Sequence, residues 1–282
     1  MKFGISSLAW QSPFSDAMGQ FQKAKKYGLD SYEIAAEDFS LIHVDEILKA
    51  KEATGIETGS ICGAFGETRD VSSDVEEYRK NGLQYIKDMI DLVAAIGGDT
   101  VAGPMYSAVG KARAVSDEQK KQAWAWAEGY IREAAGYARE KGVRLAIEPL
   151  NRFETDFINT VEQGCELIDR IGCDNVGFLL DTFHMNIEES NIIGAIKMAG
   201  KIGIYDMHTC ANTRGIPGED NFDWPAIAAA VKEVGYDDYC NIESFTPDCV
   251  EIAKAASVWR PFAESPEAIA EKGIPFLRKI FA

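Results

Sequence analysis

The sequence predicts an α/β protein, a single (β/α)8 TIM barrel domain over residues 1–282 with a C-terminal helical extension. Short runs of β-forming residues alternate eight times with longer segments of helical periodicity. No Ser/Pro-rich linker or low-complexity stretch interrupts this alternation. The runs are mostly apolar, as at residues 177–180, which is typical of parallel strands buried on both faces. Eight such units in one chain favour a closed barrel over an open doubly wound sheet.

The first half of the chain contains four strand–helix units. We predict strands at residues 2–9, 31–35, 57–62 and 100–105, and helices at 16–27, 44–54, about 74–96 and 117–141. A glycine follows each helix, which indicates a helix end because glycine readily adopts the left-handed conformation found there.

The second half repeats the pattern. We predict strands at residues 144–150, 176–181, 202–208 and 239–245. The intervening helices are predicted at 161–171, 191–199 and 224–234, with C-terminal helices running through residue 281.

Charge and composition argue against several classes of partner and compartment. The 29 Lys+Arg and 45 Asp+Glu give a net charge of −16, which argues against nucleic-acid and anionic-membrane partners. We expect no membrane span and no signal peptide, because no apolar run reaches about 18 residues and the N-terminus lacks a signal-peptide pattern. The six Cys include no Cys-x-x-Cys pair, so we predict reduced thiols and a cytoplasmic protein. The glycine-rich dinucleotide and P-loop motifs are absent from the sequence.

Four consecutive predicted strands end in a residue that can bind a metal ion. The fifth to eighth strands lead, in order, to Glu148, Asp181, His208 and Glu243. Barrel closure brings the C-terminal ends of neighbouring strands around one axis, where active sites of this fold lie. Three carboxylates would repel one another there unless a cation were bound. Because the set is rich in oxygen and has one imidazole, it suits Mn2+, Mg2+ or Co2+ better than a thiolate-type zinc site does. Of these three ions we expect Mn2+.

A second group of polar residues lies in the loops beyond these strands. His184, Glu154 and Arg214 follow the fifth to seventh strands by a few residues and are predicted to bind a polyol. Four aromatic residues near strand ends are candidate pocket walls: Trp10, Phe65, Tyr106 and Phe245. His43 lies near a helix start far from the cluster and is assigned no role.

Four sequence blocks resemble the D-tagatose 3-epimerase family, which includes D-psicose (D-allulose) and L-ribulose 3-epimerases within the xylose isomerase-like sugar isomerase superfamily. The resemblance covers essentially the whole chain. Its strongest block is Asp181-Thr-Phe-His184-Met-Asn. The others are Glu148-Pro-Leu-Asn-Arg-Phe-Glu154, His208 with Arg214-Gly, and Ile242-Glu243-Ser-Phe245.

The resemblance implies an isomerase, a metal-dependent ketose 3-epimerase of carbohydrate metabolism. It would interconvert free ketoses through a cis-enediolate: D-fructose with D-psicose, D-tagatose with D-sorbose, and L-ribulose with L-xylulose. It also implies a homodimer or homotetramer. One departure is the run 209–212, which is less acidic than the family pattern, so the preferred ketose stays open.

The resemblance also implies a role for each matching residue. The ligands of one divalent metal would be Glu148, Asp181, His208 and Glu243. Glu148 and Glu243 would also be the acid/base catalysts. The substrate-binding residues would be Glu154, His184, Arg214 and, more weakly matched, Cys62 and Phe245.

Other functions remain compatible with the same fold. The nearest is an aldose–ketose or hydroxypyruvate-type isomerase, followed by an inosose-processing enzyme. A non-catalytic, metal-dependent sugar-binding protein would share the site. An endonuclease IV-like enzyme is disfavoured, because such sites use three zinc ions and many histidines, whereas this chain has three His. The sequence leaves open which metal is bound, dimer or tetramer, and free or phosphorylated sugar.

Overall fold

A computed structural model describes residues 1–245 and 257–282 and has the predicted barrel. Eight parallel strands close in sequential order, with the eighth strand paired to the first. The strands are β1 Lys2–Ser6, β2 Ser31–Ala35, β3 Ser60–Cys62, β4 Thr100–Gly103, β5 Arg144–Ile147, β6 Val176–Asp181, β7 Ile204–His208 and β8 Tyr239–Ile242.

Helices surround the barrel and connect its strands. They are α1 Ala17–Lys26, α2 Val44–Thr54, α3 Glu76–Ala95, α4 Asp117–Glu140, α5 Val161–Ile171, α6 Thr182–Glu188, α7 Ile192–Ala199, α8 Trp224–Glu233 and α9 Pro266–Ile280. Their termini follow from local chemistry. Ser116 with Gln119, and Thr160 with Gln163, form capping boxes at the starts of α4 and α5. The prediction of a (β/α)8 barrel with a C-terminal helix is confirmed.

Several strands are shorter than predicted, mainly at their C-terminal ends. β5 ends at Ile147, whereas we predicted residue 150, and β8 ends at Ile242, whereas we predicted residue 245. After each of these strands a glutamate is followed, two residues later, by a large apolar side chain, Leu150 or Phe245, which extends the strand-like pattern. Their final residues instead turn into loops, so Glu148 and Glu243 lie one residue beyond their strands.

A helix replaces the loop predicted after β6. α6 begins at Thr182, directly after the strand, because the Asp181 carboxylate accepts a hydrogen bond from the Phe183 N–H at 2.7 Å and caps the helix. His184 therefore lies on a short helix.

Two further observations concern the whole described chain. No helix within residues 1–245 and 257–282 is long and apolar enough to cross a bilayer. The cysteines in these ranges are free: Cys62, Cys165, Cys173, Cys210 and Cys240. Cys249, also predicted to be reduced, lies outside the described residues.

Candidate active site

The four predicted metal ligands meet at the C-terminal end of the barrel. Each offers one donor atom, and these atoms all lie within 4.8 Å of one another: Glu148, Asp181, His208 and Glu243. All four side chains are buried. The strand order alone produces this arrangement, because each residue is the last of its strand or the next one along.

Two buried polar atoms in this group fit a bound cation. His208 Nδ1 lies 3.5 Å from Glu243 Oε2, 3.9 Å from Asp181 Oδ2 and 4.0 Å from Glu148 Oε1. His208 Nδ1 and Glu148 Oε1 make no hydrogen bond within the described part of the chain. Buried polar atoms without partners are costly, and a divalent metal would satisfy both. Three carboxylates and one imidazole suit Mn2+, Mg2+ or Co2+.

The two glutamates have their pKa values shifted in opposite directions. Burial, followed by the charge of Glu243, raises the pKa of Glu148 well above its usual range. Burial also opposes ionisation of Glu243, but the positive charges of His208 and Arg214 outweigh it and lower the pKa of this carboxyl. Carboxyl pairs whose pKa values are pushed apart are typical of acid/base catalysis.

Arg214 lies against the same carboxylates. Its Nη1 donates to Asp181 Oδ2 at 2.5 Å and lies 2.9 Å from Glu243 Oε2. Its guanidinium stacks over the rings of Phe183 and Phe245, at 4.1 Å and 5.2 Å from their centroids. The residue adopts the left-handed conformation, with φ of 62°. This backbone turn brings the cation back over the strand ends.

His184 and Glu154 are held by one residue that the sequence reasoning overlooked. The Asn151 backbone N–H donates to His184 Nδ1 at 3.1 Å, and Asn151 Nδ2 donates to Glu154 Oε1 at 2.7 Å. Burial lowers the pKa of His184 to about 3, so the ring is neutral at neutral pH, and its Nε2 lies 3.0 Å from Arg214 Nη2. Burial raises the pKa of Glu154. Asn151 lies within the block 148–154, between the two glutamates of the site, and this position is the one signal that could have identified it.

These residues border a cavity of about 220 Å³. Its wall consists of Leu8, Ala35, Gly63, Ala64, Phe65, Gly66, Pro104, Val109, Glu148, Leu150, Glu154, His184, Arg214, Glu243 and Phe245. Of the four aromatic candidates, Phe65 and Phe245 line it. Trp10 instead stacks on Tyr32, and the Tyr106 hydroxyl donates to the Glu148 carbonyl at 2.9 Å from behind. Cys62 packs in a small cluster behind the wall, together with Phe245.

Two loops over this cavity are joined by a buried ion pair. Lys111 Nζ, in the β4–α4 loop, lies 2.6 Å from Asp70 Oδ2 in the β3–α3 loop. The two side chains are 9% and 4% exposed. The backbone also joins these two loops beside the cavity, because the Val109 N–H donates to the Phe65 carbonyl at 2.9 Å and both residues line the cavity.

Two carboxylates inside the barrel were missed at the level of sequence. Glu33 in β2 and Asp206 in β7 are both buried, and Glu33 Oε2 lies 3.0 Å from His208 Nε2. Their signal in the sequence is an acidic residue in the middle of a predicted strand whose two faces are both buried.

A closed parallel barrel with a buried, oxygen-rich donor cluster at its strand ends is the arrangement of metal-dependent TIM-barrel enzymes. The chain belongs to the xylose isomerase-like TIM barrel family, and the sequence pattern of this family matches residues 21–280.

Individual relatives are more specific. A protein of Synechocystis sp., named a probable ketose 3-epimerase, is 33% identical over 284 residues, covering 100% of this chain and 97% of that protein. An L-ribulose 3-epimerase of Mesorhizobium japonicum is 30% identical over 284 residues, covering 98% and 93%. The solved structure of D-psicose 3-epimerase with D-tagatose, from Clostridium cellulolyticum H10, superimposes with a TM-score of 0.91 at 28% identity, covering 100% and 99%.

Proposed function

We propose that this chain is a metal-dependent ketose 3-epimerase. The observation that carries the proposal is the convergence of Glu148 and Glu243, with oppositely shifted pKa values, on one buried donor cluster beside a cavity. The names of the relatives support the same reaction, since those named above are all 3-epimerases.

Epimerisation needs two acid/base groups. Inverting the carbon beside a ketone requires removing a proton from one face and returning a proton to the other. One of Glu148 and Glu243 acts as base and the other returns a proton as acid, and the roles exchange in the reverse reaction. A divalent cation, Mn2+ by preference, held by these two residues with Asp181 and His208, would supply Lewis-acid polarisation of the ketone.

Three other residues orient the ketose and stabilise charge. Neutral His184 lines the cavity, with Nε2 3.6 Å from Glu148 Oε1, and binds a sugar oxygen near the carbonyl end. Glu154, fixed by Asn151, accepts a hydrogen bond from a hydroxyl group of the sugar. Arg214 supports the negative charge that develops on the enediolate oxygen. Phe245 forms an apolar wall, with Cys62 packed behind it.

The charge around the cavity supports free sugars over sugar phosphates. Among the described residues that line it, Arg214 is the one cationic side chain. Its guanidinium already faces Asp181 and Glu243, so none of these described lining residues offers a free cation to bind a phosphate at the far end of the sugar.

A ketose panel tests the proposed reaction. The chain, reconstituted with Mn2+, is incubated with D-fructose, D-tagatose and L-ribulose, and the products are separated by chromatography. We expect the C3 epimer of at least one ketose. An aldose as the product would favour the isomerase alternative, and saturable binding of a ketose without any product would favour a sugar-binding protein.

Three accompanying properties complete the proposal. We infer a single domain over residues 1–282. We also infer a homodimer or homotetramer, which the sequence resemblance supports, and the molar mass measured by light scattering tests this oligomeric state. A monomer mass would contradict it. The free cysteines among the described residues support a cytoplasmic location, and fractionation of the native cells tests that inference.

A further inference from the structure

We propose that Glu33 is a positioning residue for the metal site, acting through His208. Glu33 lies in the middle of β2, whereas His208 ends β7, so their contact crosses the interior of the barrel. The His208 Nε2–H donates to Glu33 Oε2 at 3.0 Å, and both side chains are fully buried. The other ring nitrogen, Nδ1, faces Glu148, Asp181 and Glu243.

A chain of hydrogen bonds fixes the Glu33 carboxylate. Its Oε1 accepts from the Ser60 hydroxyl at 2.9 Å. Ser60 Oγ in turn accepts from Asn241 Nδ2 at 3.4 Å, and Asn241 Oδ1 accepts from the Ser31 hydroxyl at 3.0 Å. All of these groups are buried, so water does not compete with them. The carboxylate therefore has one orientation in which to meet the imidazole.

This contact determines which nitrogen can bind a metal. A neutral imidazole carries one proton, and a carboxylate acceptor at Nε2 keeps the proton on that nitrogen. The lone pair then lies on Nδ1, directed at the three carboxylates. Such outer carboxylates orient a histidine ligand and increase its basicity, and losing one costs about 10- to 100-fold in metal affinity.

An alternative role for Glu33 and His208 is to form a separate metal site. Glu33, Asp206 and His208 also place one donor atom each within 4.8 Å of the others. A metal bound there would need the lone pair of Nε2 and would move the proton to Nδ1, toward the first group. One neutral imidazole cannot serve both sites, and the unpartnered Nδ1 favours the site at the strand ends.

Glu33→Gln tests the proposal, which rests on the metal site of the proposed function. Mn2+ binding to the folded chain is measured by titration calorimetry, and we expect affinity to fall about 10- to 100-fold. Ser31→Ala is the matched control, because it leaves the direct hydrogen bond from Ser60 to Glu33 in place and Ser31 does not contact His208. We expect it to leave the affinity within about twofold of that of the unmodified chain.

A spectroscopic measurement needs no variant. The chain has three His, so 15N labelling of histidine gives few ring signals to assign. With diamagnetic Mg2+ bound, we expect the His208 proton on Nε2. A proton on Nδ1, unchanged Mn2+ affinity in Glu33→Gln, or two Mn2+ ions per chain would each overturn the proposal. These readouts do not depend on turnover, so a chain that binds Mn2+ normally but epimerises no ketose would refute the proposed function and leave this inference intact.

Discussion

Replacing Lys111 by Met removes the cation from the buried ion pair that joins two loops over the cavity. The Asp70 carboxylate, 4% exposed, is then left without its counter-charge. Ser72 loses two contacts as well, because Lys111 Nζ lies 3.0 Å from its carbonyl and 2.7 Å from its hydroxyl. Methionine is close to lysine in length and shape, so the change is chiefly the loss of charge and hydrogen bonds.

The structure sets the expected magnitude. Removing one partner of a buried ion pair lowers the free energy of unfolding by about 3–5 kcal/mol. The lower end, about 3 kcal/mol, applies here because Asp70 Oδ1 keeps hydrogen bonds from the Ser72 N–H at 2.9 Å and hydroxyl at 2.7 Å. At roughly 2 °C for each kcal/mol in a chain of this size, the melting temperature falls by about 6 °C.

An exposed pair of the same charges is the matched control. Lys80 Nζ lies 2.7 Å from Glu76 Oε1, but these side chains are 66% and 65% exposed. Lys80→Met should cost about 0.5 kcal/mol or less. The free energy of unfolding is measured for both variants by urea denaturation followed by circular dichroism. Equal losses in the two variants would refute the argument that burial decides the cost.

Removing the second charge provides a further check. In the double variant Lys111→Met with Asp70→Asn, no uncompensated charge is buried, so stability should recover relative to Lys111→Met alone. Phe65 and Val109, on the two joined loops, line the cavity. We therefore expect Lys111→Met to raise KM for the ketose more than it lowers kcat.

Further predictions concern the site itself. Glu148→Gln and Glu243→Gln should each lower kcat by several orders of magnitude. The loss should exceed the ~10²- to 10⁴-fold of acid/base catalysis alone, because each residue also binds the metal. A near-normal kcat in either variant would exclude that glutamate from the acid/base pair. Because burial lowers the pKa of His184 to about 3, its charge is constant above about pH 5, so His184→Gln should lower kcat/KM without moving the acidic limb of the pH–rate profile. Burial opposes charging of His208, but the charges of Glu33 and Glu243 outweigh burial and raise its pKa, so a proton competes with the metal for this ring. Mn2+ affinity, measured by calorimetry, should therefore rise from about pH 6 to pH 8. An affinity that does not change with pH would contradict this. Chelation by EDTA should lower the melting temperature and Mn2+ should restore it, since a ligand that binds only the native state stabilises it.

The fold and the ligand cluster follow from chain order, which explains why the sequence predicted them. Alternating strands and helices close one kind of barrel, and the C-terminal ends of its strands then meet around one axis. Glu148 and Glu243 could be placed in this way without knowing any side-chain conformation.

The interior contacts depend on geometry that chain order does not specify. Glu33 meets His208 across the barrel, so their contact requires the tilt of the strands and the direction of each side chain. The return of Arg214 onto Asp181 depends on a left-handed backbone conformation at one residue. Asn151 acts through its backbone N–H as well as its side chain, and a backbone donor leaves no mark in a sequence.

The central claim is that this site moves a proton at C3 of a ketose. It is tested most directly by incubating the Mn2+-loaded chain with D-fructose, D-tagatose or L-ribulose in D2O and locating the label by NMR. We predict deuterium at C3 of a ketose together with its C3 epimer, and loss of the label in Glu148→Gln and Glu243→Gln. Deuterium confined to C1 or C2 of an aldose–ketose pair, or no deuterium at C3 of any ketose, would contradict the account.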